Sequence, residues 1–280
     1  LRIIEDKDVI ILGEWFVSRV APLNKKNRPS GYWWAVAFVM LLSFIVMQLP
    51  AAWILARVIP SNPYLDNVSG NIWRGQGDWH YQNVQGVVSW QTRPWTLLLL
   101  RLSADMTLKT GDTELHGIVS KGLKHWAVDK LNGRIQPDTL QAILPWQWPS
   151  SPLMIKDVSV NQSTNQTFSD ADGQLSWGGG LMSYPYEGRT ERATLPPLLS
   201  AISLDRDRLH IALTNGQKER MGDFYLSPQS STQPNAQSKM MLDVQLTQRL
   251  LLNVAGYHGQ AGLDTAVITL RQPLNTLGAM

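Results

Sequence analysis

Five histidines, His80, His116, His125, His210 and His258, are the side chains best suited to acid–base or metal chemistry. No two stand four residues apart, as they would on a zinc-protease helix, and none lies in an acid-rich stretch. The chain has no Gly-x-Ser-x-Gly elbow, no Ser-x-x-Lys pair and no Gly-x-x-x-x-Gly-Lys phosphate loop. It has no cysteine, which removes thiolate catalysis, Cys-based metal sites and a disulfide-stapled scaffold. Gly178-Gly179-Gly180 lacks the strand-then-helix setting of a dinucleotide loop and reads as a kink or wide turn. Asp170-x-Asp172-Gly173 begins like a calcium loop, lacks the later acidic ligands, and reads as a β-turn. The expectation is therefore no catalytic, cofactor-binding or metal site, and no enzyme.

The elements that would position any other function start from Gly31–Ala56, a stretch without a charged residue. A run of at least ~18 apolar residues reads as a membrane-spanning helix. From Trp34 to Trp53 such a helix would cover about 28 Å at ~1.5 Å per residue. Tyr32, Trp33 and Trp34 would mark one interface, and Trp53 with Arg57 the other. Pro50 near its end would bend the helix without excluding it from the bilayer. Residues 1–31 carry six basic side chains (Arg2, Lys7, Arg19, Lys25, Lys26 and Arg28), and the 30 residues after Arg57 carry one, Arg74. That asymmetry predicts a single pass with residues 1–30 as a cytoplasmic tail, 31–59 as an uncleaved anchor and 60–280 on the far side. Residues 8–20 would form either a short amphipathic helix on the inner leaflet or a segment packed on a partner.

The formal charge of +3 belongs to the tail and Arg57, because residues 58–280 balance at 18 basic and 18 acidic side chains. A neutral outer part gives no argument for nucleic-acid binding. Of the 12 tryptophans, those from Trp73 to Trp177 suit broad sheet faces, or one face of a groove that apolar ligands could touch, sheet packing being the commoner case.

Beyond Pro60 the pattern alternates with period two. Leu98, Leu100, Leu102, Ala104, Met106 and Leu108 would share the dry face of one long strand, opposite Arg101, Ser103, Asp105, Thr107 and Lys109. Thr110-Gly111-Asp112 would turn it back through Leu115, Gly117 and Val119. Leu209, Ile211 and Leu213 run into Asn215-Gly216, a strong hairpin signal. Leu242, Val244 and Leu246 repeat the alternation, as do Ala266, Ile268 and Leu270. One short helix is expected, Pro137–Leu144, and residues 227–238 read as a loop. The fold class is thus all-β, mainly antiparallel, with one N-terminal transmembrane helix. Gly86-Val87-Val88-Ser89-Trp90 is echoed by Gly173-Gln174-Leu175-Ser176-Trp177, which suggests two related halves, about 60–150 and 151–280.

Val68-Ser69-Gly70-Asn71-Ile72-Trp73-Arg74-Gly75 frames an Ile-Trp core with glycines, as a strand between two close turns would require. Trp90 and Pro94 follow, before the Leu-rich segment. With the anchor before it, this region resembles the type II secretion system protein N family of Gram-negative bacteria. The shared features are a Val-Ser-Gly-x-[Leu/Ile]-Trp-x-Gly motif (Val68, Ser69, Gly70, Ile72, Trp73, Gly75) and a Trp-x-x-x-Pro step (Trp90, Pro94). The tail is longer than the family's, and Arg101 stands where glycine would be typical. The resemblance implies an accessory inner-membrane, periplasm-facing component of the machine exporting folded proteins across the outer membrane. It would act by contact with other secretion components and with the bilayer through its anchor, with no cofactor, nucleic acid or small-molecule substrate. The chain also looks like a small relative of the AsmA-like lipid-handling proteins, in which a dry sheet face would stay open as a groove.

Overall fold

The structure is a computed structural model that describes residues 31–58, 63–143, 147–163, 167–186, 188–229 and 239–273. Its contacts define two compact units, Leu1–Val46 and Met47–Met280. In the first, helix α1 (Gly31–Met47) is apolar on every side and buries none of its residues. Phe38, Met40 and Phe44 are among its exposed large side chains.

The expected single helix over 31–59 is not formed. α1 stops at Met47, and a separate helix α2 (Ala51–Val58) begins after Pro50. Proline has no N–H for the helical ladder, and its ring crowds the carbonyl four residues earlier. The Leu49 carbonyl instead accepts the Ile72 N–H at 3.2 Å, and Pro50 bridges to Asn71. Among the described residues no helix is long and apolar enough to cross a membrane.

The second unit holds one antiparallel sheet of 13 strands. β1 (Leu65–Gly70), β2 (Arg74–Tyr81) and β3 (Val84–Thr92) lead through a 3-10 turn, η1 (Pro94–Leu99), to β4 (Leu102–Thr110). β5 (Thr113–Lys121) and β6 (His125–Ile135) follow, then helix α3 (Pro137–Ile143). β7 (Leu153–Ser163) and β8 (Phe168–Trp177) continue the sheet. A hairpin of β9 (Gly180–Tyr186) and β10 (Arg189–Leu195) forms its own two-stranded sheet. β11 (Leu198–Asp205) returns beside β8 and is followed by β12 (Arg208–Asn215), β13 (Arg220–Gln229) and β14 (Lys239–Thr247). Helix α4 (Gln248–Ala255) then precedes the edge strand β15 (Ala266–Pro273).

Because every pairing is antiparallel, the connections fall at two ends of the sheet. The first end carries residues 71–73, the 93–101 segment with η1, and the 122–124 turn. The opposite end carries the Gly111-Asp112 turn, α3, the β9–β10 hairpin and α4.

Alternation located β4, β5, β12, β14 and β15 correctly, and Pro137 opens α3 as expected. Several expectations fail for local reasons. Leu98 and Leu100 do not belong to β4: Pro94 starts η1, and Leu100 closes it in the left-handed region at φ +54°. Within β4 it is Ser103 that is buried, at 5% exposure, while Leu102 on the supposedly dry face is 50% exposed. Asp170–Gly173 lies inside β8 and is no turn. The hairpin expected at Asn215-Gly216 does form, joining β12 to β13, and its loop has four residues because the Asn215 side chain accepts the Gln217 and Glu219 N–H groups. Ser227–Gln229 belongs to β13, while residues 230–238 lie outside the described residues, as does the tail 1–30 with its 8–20 segment. The β domain has more than one helix: α4, within it, carried too short a periodic signal to read.

The core sits in the second half of the sheet. Val158, Phe168, Ala171, Ile202 and Leu209 form one buried cluster across β7, β8, β11 and β12. Leu250 of α4 packs with Leu198 and Met221 in another. Burying such side chains contributes about 1.5–3 kcal/mol each.

Candidate functional site

The Val68–Gly75 motif is a knot where the chain enters the sheet. Trp73 is not in a strand: it lies with Asn71 and Ile72 in the loop joining β1 to β2, and is half-buried. Gly70 turns the chain at φ +89°, and a Cβ there would lie 2.5 Å from the Arg74 carbonyl oxygen. At Gly75 a Cβ would meet the Trp90 ring at 2.3 Å, so only glycine lets that indole lie against the strand.

Trp90 uses the contact by donating its indole N–H to the Asn71 carbonyl at 3.3 Å. The Asn71 side-chain oxygen accepts the backbone N–H groups of Trp73 (3.0 Å) and Arg74 (2.8 Å). Thr92 at the end of β3 donates its hydroxyl to the Ile72 carbonyl (2.7 Å) and its N–H to the Trp73 carbonyl (2.7 Å). Ser69 donates more weakly, at 3.4 Å, to the Gln76 carbonyl. Arg93, just before Pro94, makes a two-pronged pair with Asp105 at 2.8 and 2.7 Å. That hydrogen bond holds the Asp105 carboxyl below the ordinary carboxylate value and raises the Arg93 guanidinium. An open depression above β1–β4 is lined by Gly70, Gly75, Trp90 and Asp105. The bonding roles of Asn71 and Thr92 emerge only from the structure, although an asparagine in a tight loop is itself a signal of side-chain turn bonding.

Val68 sits in β1 beside Gly77, whose added Cβ would meet the Val68 methyl at 3.2 Å. Of the expected interface residues, Tyr32, Trp33 and Trp34 are exposed on α1. Trp53 on α2 is 53% exposed, with the Arg57 guanidinium 5.6 Å from its ring centre.

The histidines are not all isolated. His210 Nε2 lies 2.7 Å from the buried Asp223 carboxylate, which also pairs with Arg220 at 2.6 Å. Tyr225 stacks on His210 at 4.5 Å and lies under the Arg208 guanidinium. Burial first, and the Asp223 charge second, push the Tyr225 hydroxyl above its ordinary value. These groups meet because the hairpin aligns His210 with Tyr225 and Ala212 with Asp223. Among the described residues no hydroxyl or thiol is bonded to His210, so the cluster ties β12 to β13 and presents no activated nucleophile. His80 pairs with Asp66 at 3.1 Å. No group of described residues is arranged to hold a metal ion.

The arrangement tethers the strands to one another. No curated protein and no solved structure matches the chain. The family model of type II secretion system (T2SS) protein N, however, matches residues 64–279, nearly the whole β unit, so the chain belongs to the T2SS protein N family.

Proposed function

We propose that this component of type II secretion is held at the bacterial inner membrane by α1, faces the periplasm with its sheet, and works by contact with other secretion components. The family match over residues 64–279, directly behind a charge-free stretch, carries the reading. α1 supports it physically. A helix apolar on all sides with no buried residue is costly in water and suited to lipid. Its 17 residues span about 26 Å at ~1.5 Å each, a few ångströms under a ~30 Å core. A short mismatch is met by local thinning at modest cost. The six-to-one basic asymmetry puts the tail inside.

For contact with a partner, β15 is the more available sheet edge. It exposes Val267, Ile268 and Leu270 and carries one charge, Arg271. β1 at the other edge is shorter and is interrupted in its middle by a register shift and by Asn67 at φ +48°, whereas the shift in the β14–β15 pairing lies at its end.

Deletion tests the function. Loss of the protein is expected to leave folded exoproteins trapped in the periplasm while outer-membrane permeability stays normal. Intact secretion with leakiness to detergents and large antibiotics would transfer the chain to the lipid-handling class. Phosphatase fusions test the topology, with activity expected after residue 226 and none after residue 20.

A further inference from the structure

The first end of the sheet carries an exposed apolar protrusion. Between Arg93 and Arg101 runs Pro94-Trp95-Thr96-Leu97-Leu98-Leu99-Leu100, without a charge. Trp95 and Leu99 are each 79% exposed, and Leu100 71%. The turn between β5 and β6 stands at the same end, since Lys121 is paired with Leu102, and its Leu123 is 78% exposed.

The protrusion is built, not frayed. The Thr96 hydroxyl donates to the Arg93 carbonyl (2.7 Å), the Leu100 N–H to Leu97 (2.9 Å) and the Arg101 N–H to Thr96 (3.1 Å). Arg93 is fixed by Asp105 and Arg101 by Asp129. Leu100 is held at φ +54°, a conformation that costs a leucine free energy and persists only where the surroundings impose it. A stapled loop that spends strain to present Trp and Leu outward is matched to an apolar medium.

We infer that η1 and Leu123 form a second membrane contact, dipping into the headgroup–acyl boundary of the same bilayer that holds α1. The inference rests on the proposed anchoring by α1. Two further observations select lipid as the occupant. The Leu49 carbonyl, only two residues after α1 stops, accepts the Ile72 N–H in the 71–73 loop at this end of the sheet. The connection from the end of α1 to Leu49 is two residues, a reach of about 7 Å. Lys121 and Lys124 flank Leu123, are exposed, and join no ion pair among the described residues. Basic side chains beside an apolar tip complement anionic headgroups, as Trp and Leu complement the boundary beneath them.

The lack of native cysteine makes the test direct. The full chain is reconstituted into phosphatidylethanolamine–phosphatidylglycerol vesicles with a polarity-sensitive fluorophore on single variants Leu99→Cys, Leu123→Cys, Phe38→Cys and Asp112→Cys. Probes at 99 and 123 are expected to shift to the blue and to be quenched by brominated acyl chains. The probe at 112, on the opposite end of the sheet, is expected to behave as in water. Quenching at 38 with water-like emission at 99 and 123 overturns the second contact and leaves the anchor standing. Quenching at 99 and 123 without 38 supports the loop contact and overturns anchoring by α1. Water-like emission at all three overturns both.

Discussion

Asn71 occupies the variable position of the motif, yet its side chain satisfies two backbone N–H groups in a three-residue loop. Asn71→Ala removes the one oxygen that accepts both N–H groups at a half-buried site and is expected to cost about 1–3 kcal/mol. Asn71→Asp, which keeps the oxygen, should stay near the parent in thermal unfolding. At Gly75 a methyl group has nowhere to go, so Gly75→Ala should cost about 1–3 kcal/mol as an overpacked site. Gly111→Ala meets no atom within 4 Å and bears only the positive-φ penalty, ~1–2 kcal/mol. The glycines of the motif were legible because close approach demands them. The place of Trp73 was not, since a Trp between glycines fits a strand and a loop equally well. A half-buried Trp73 also lowers the expected cost of Trp73→Ala below the ~3–5 kcal/mol of a core aromatic. Asp105 adds a pH dependence. Its carboxyl binds a proton more weakly folded than unfolded, so the Arg93 pair stabilises above the ordinary value of 3.8 and fades as pH falls below it. Both side chains are about half exposed, which limits the effect to under about 1 kcal/mol. Arg93→Gln should flatten acid unfolding in that window.

The positions of β4, β5, β12, β14 and β15 were legible because period two survives without knowledge of the partner. The buried face was not, since Ser103 is buried in β4 while Leu102, Ile268 and Leu270 are exposed. Two kinds of element were not legible either. Four consecutive leucines, Leu97–Leu100, fit any period, and Pro94 decides the matter by starting η1. α4 offers only eight residues, too few for a helical pattern to stand out, and is fixed by its surroundings. Thr247 caps it by accepting the Leu250 N–H at 3.4 Å while donating to the Met221 carbonyl at 2.9 Å. Leu250→Ala should cost about 2–5 kcal/mol and Thr247→Ala about 1–2, both read from denaturant midpoints. Leu250→Ala acts by opening a cavity beside Met221, whose side chain is fully buried. The His210–Asp223 pair was invisible for a related reason: its residues meet only once the loop length fixes the register of β12 on β13.

Across the molecule, a single sheet of 13 strands ends in two edges, and β15 presents apolar side chains on the less interrupted one. Ile268→Lys with Leu270→Lys should leave stability within about 0.5 kcal/mol per exposed site. The same pair should abolish co-purification with secretion components if a partner's strand adds there; unchanged co-purification would remove β15 from the contact surface. The order of the strands has a kinetic consequence. Every neighbour in the sheet is also a neighbour in the sequence, apart from the single step over β9 and β10 from β8 to β11. Apart from the connections that carry α3, the β9–β10 hairpin and α4, loop closures are short, and the entropy lost before those pairings is repaid almost at once. A chain delivered from its N-terminus can add strands one after another, each new edge serving as template for the next. Refolding should slow most where β11 must wait for the intervening hairpin.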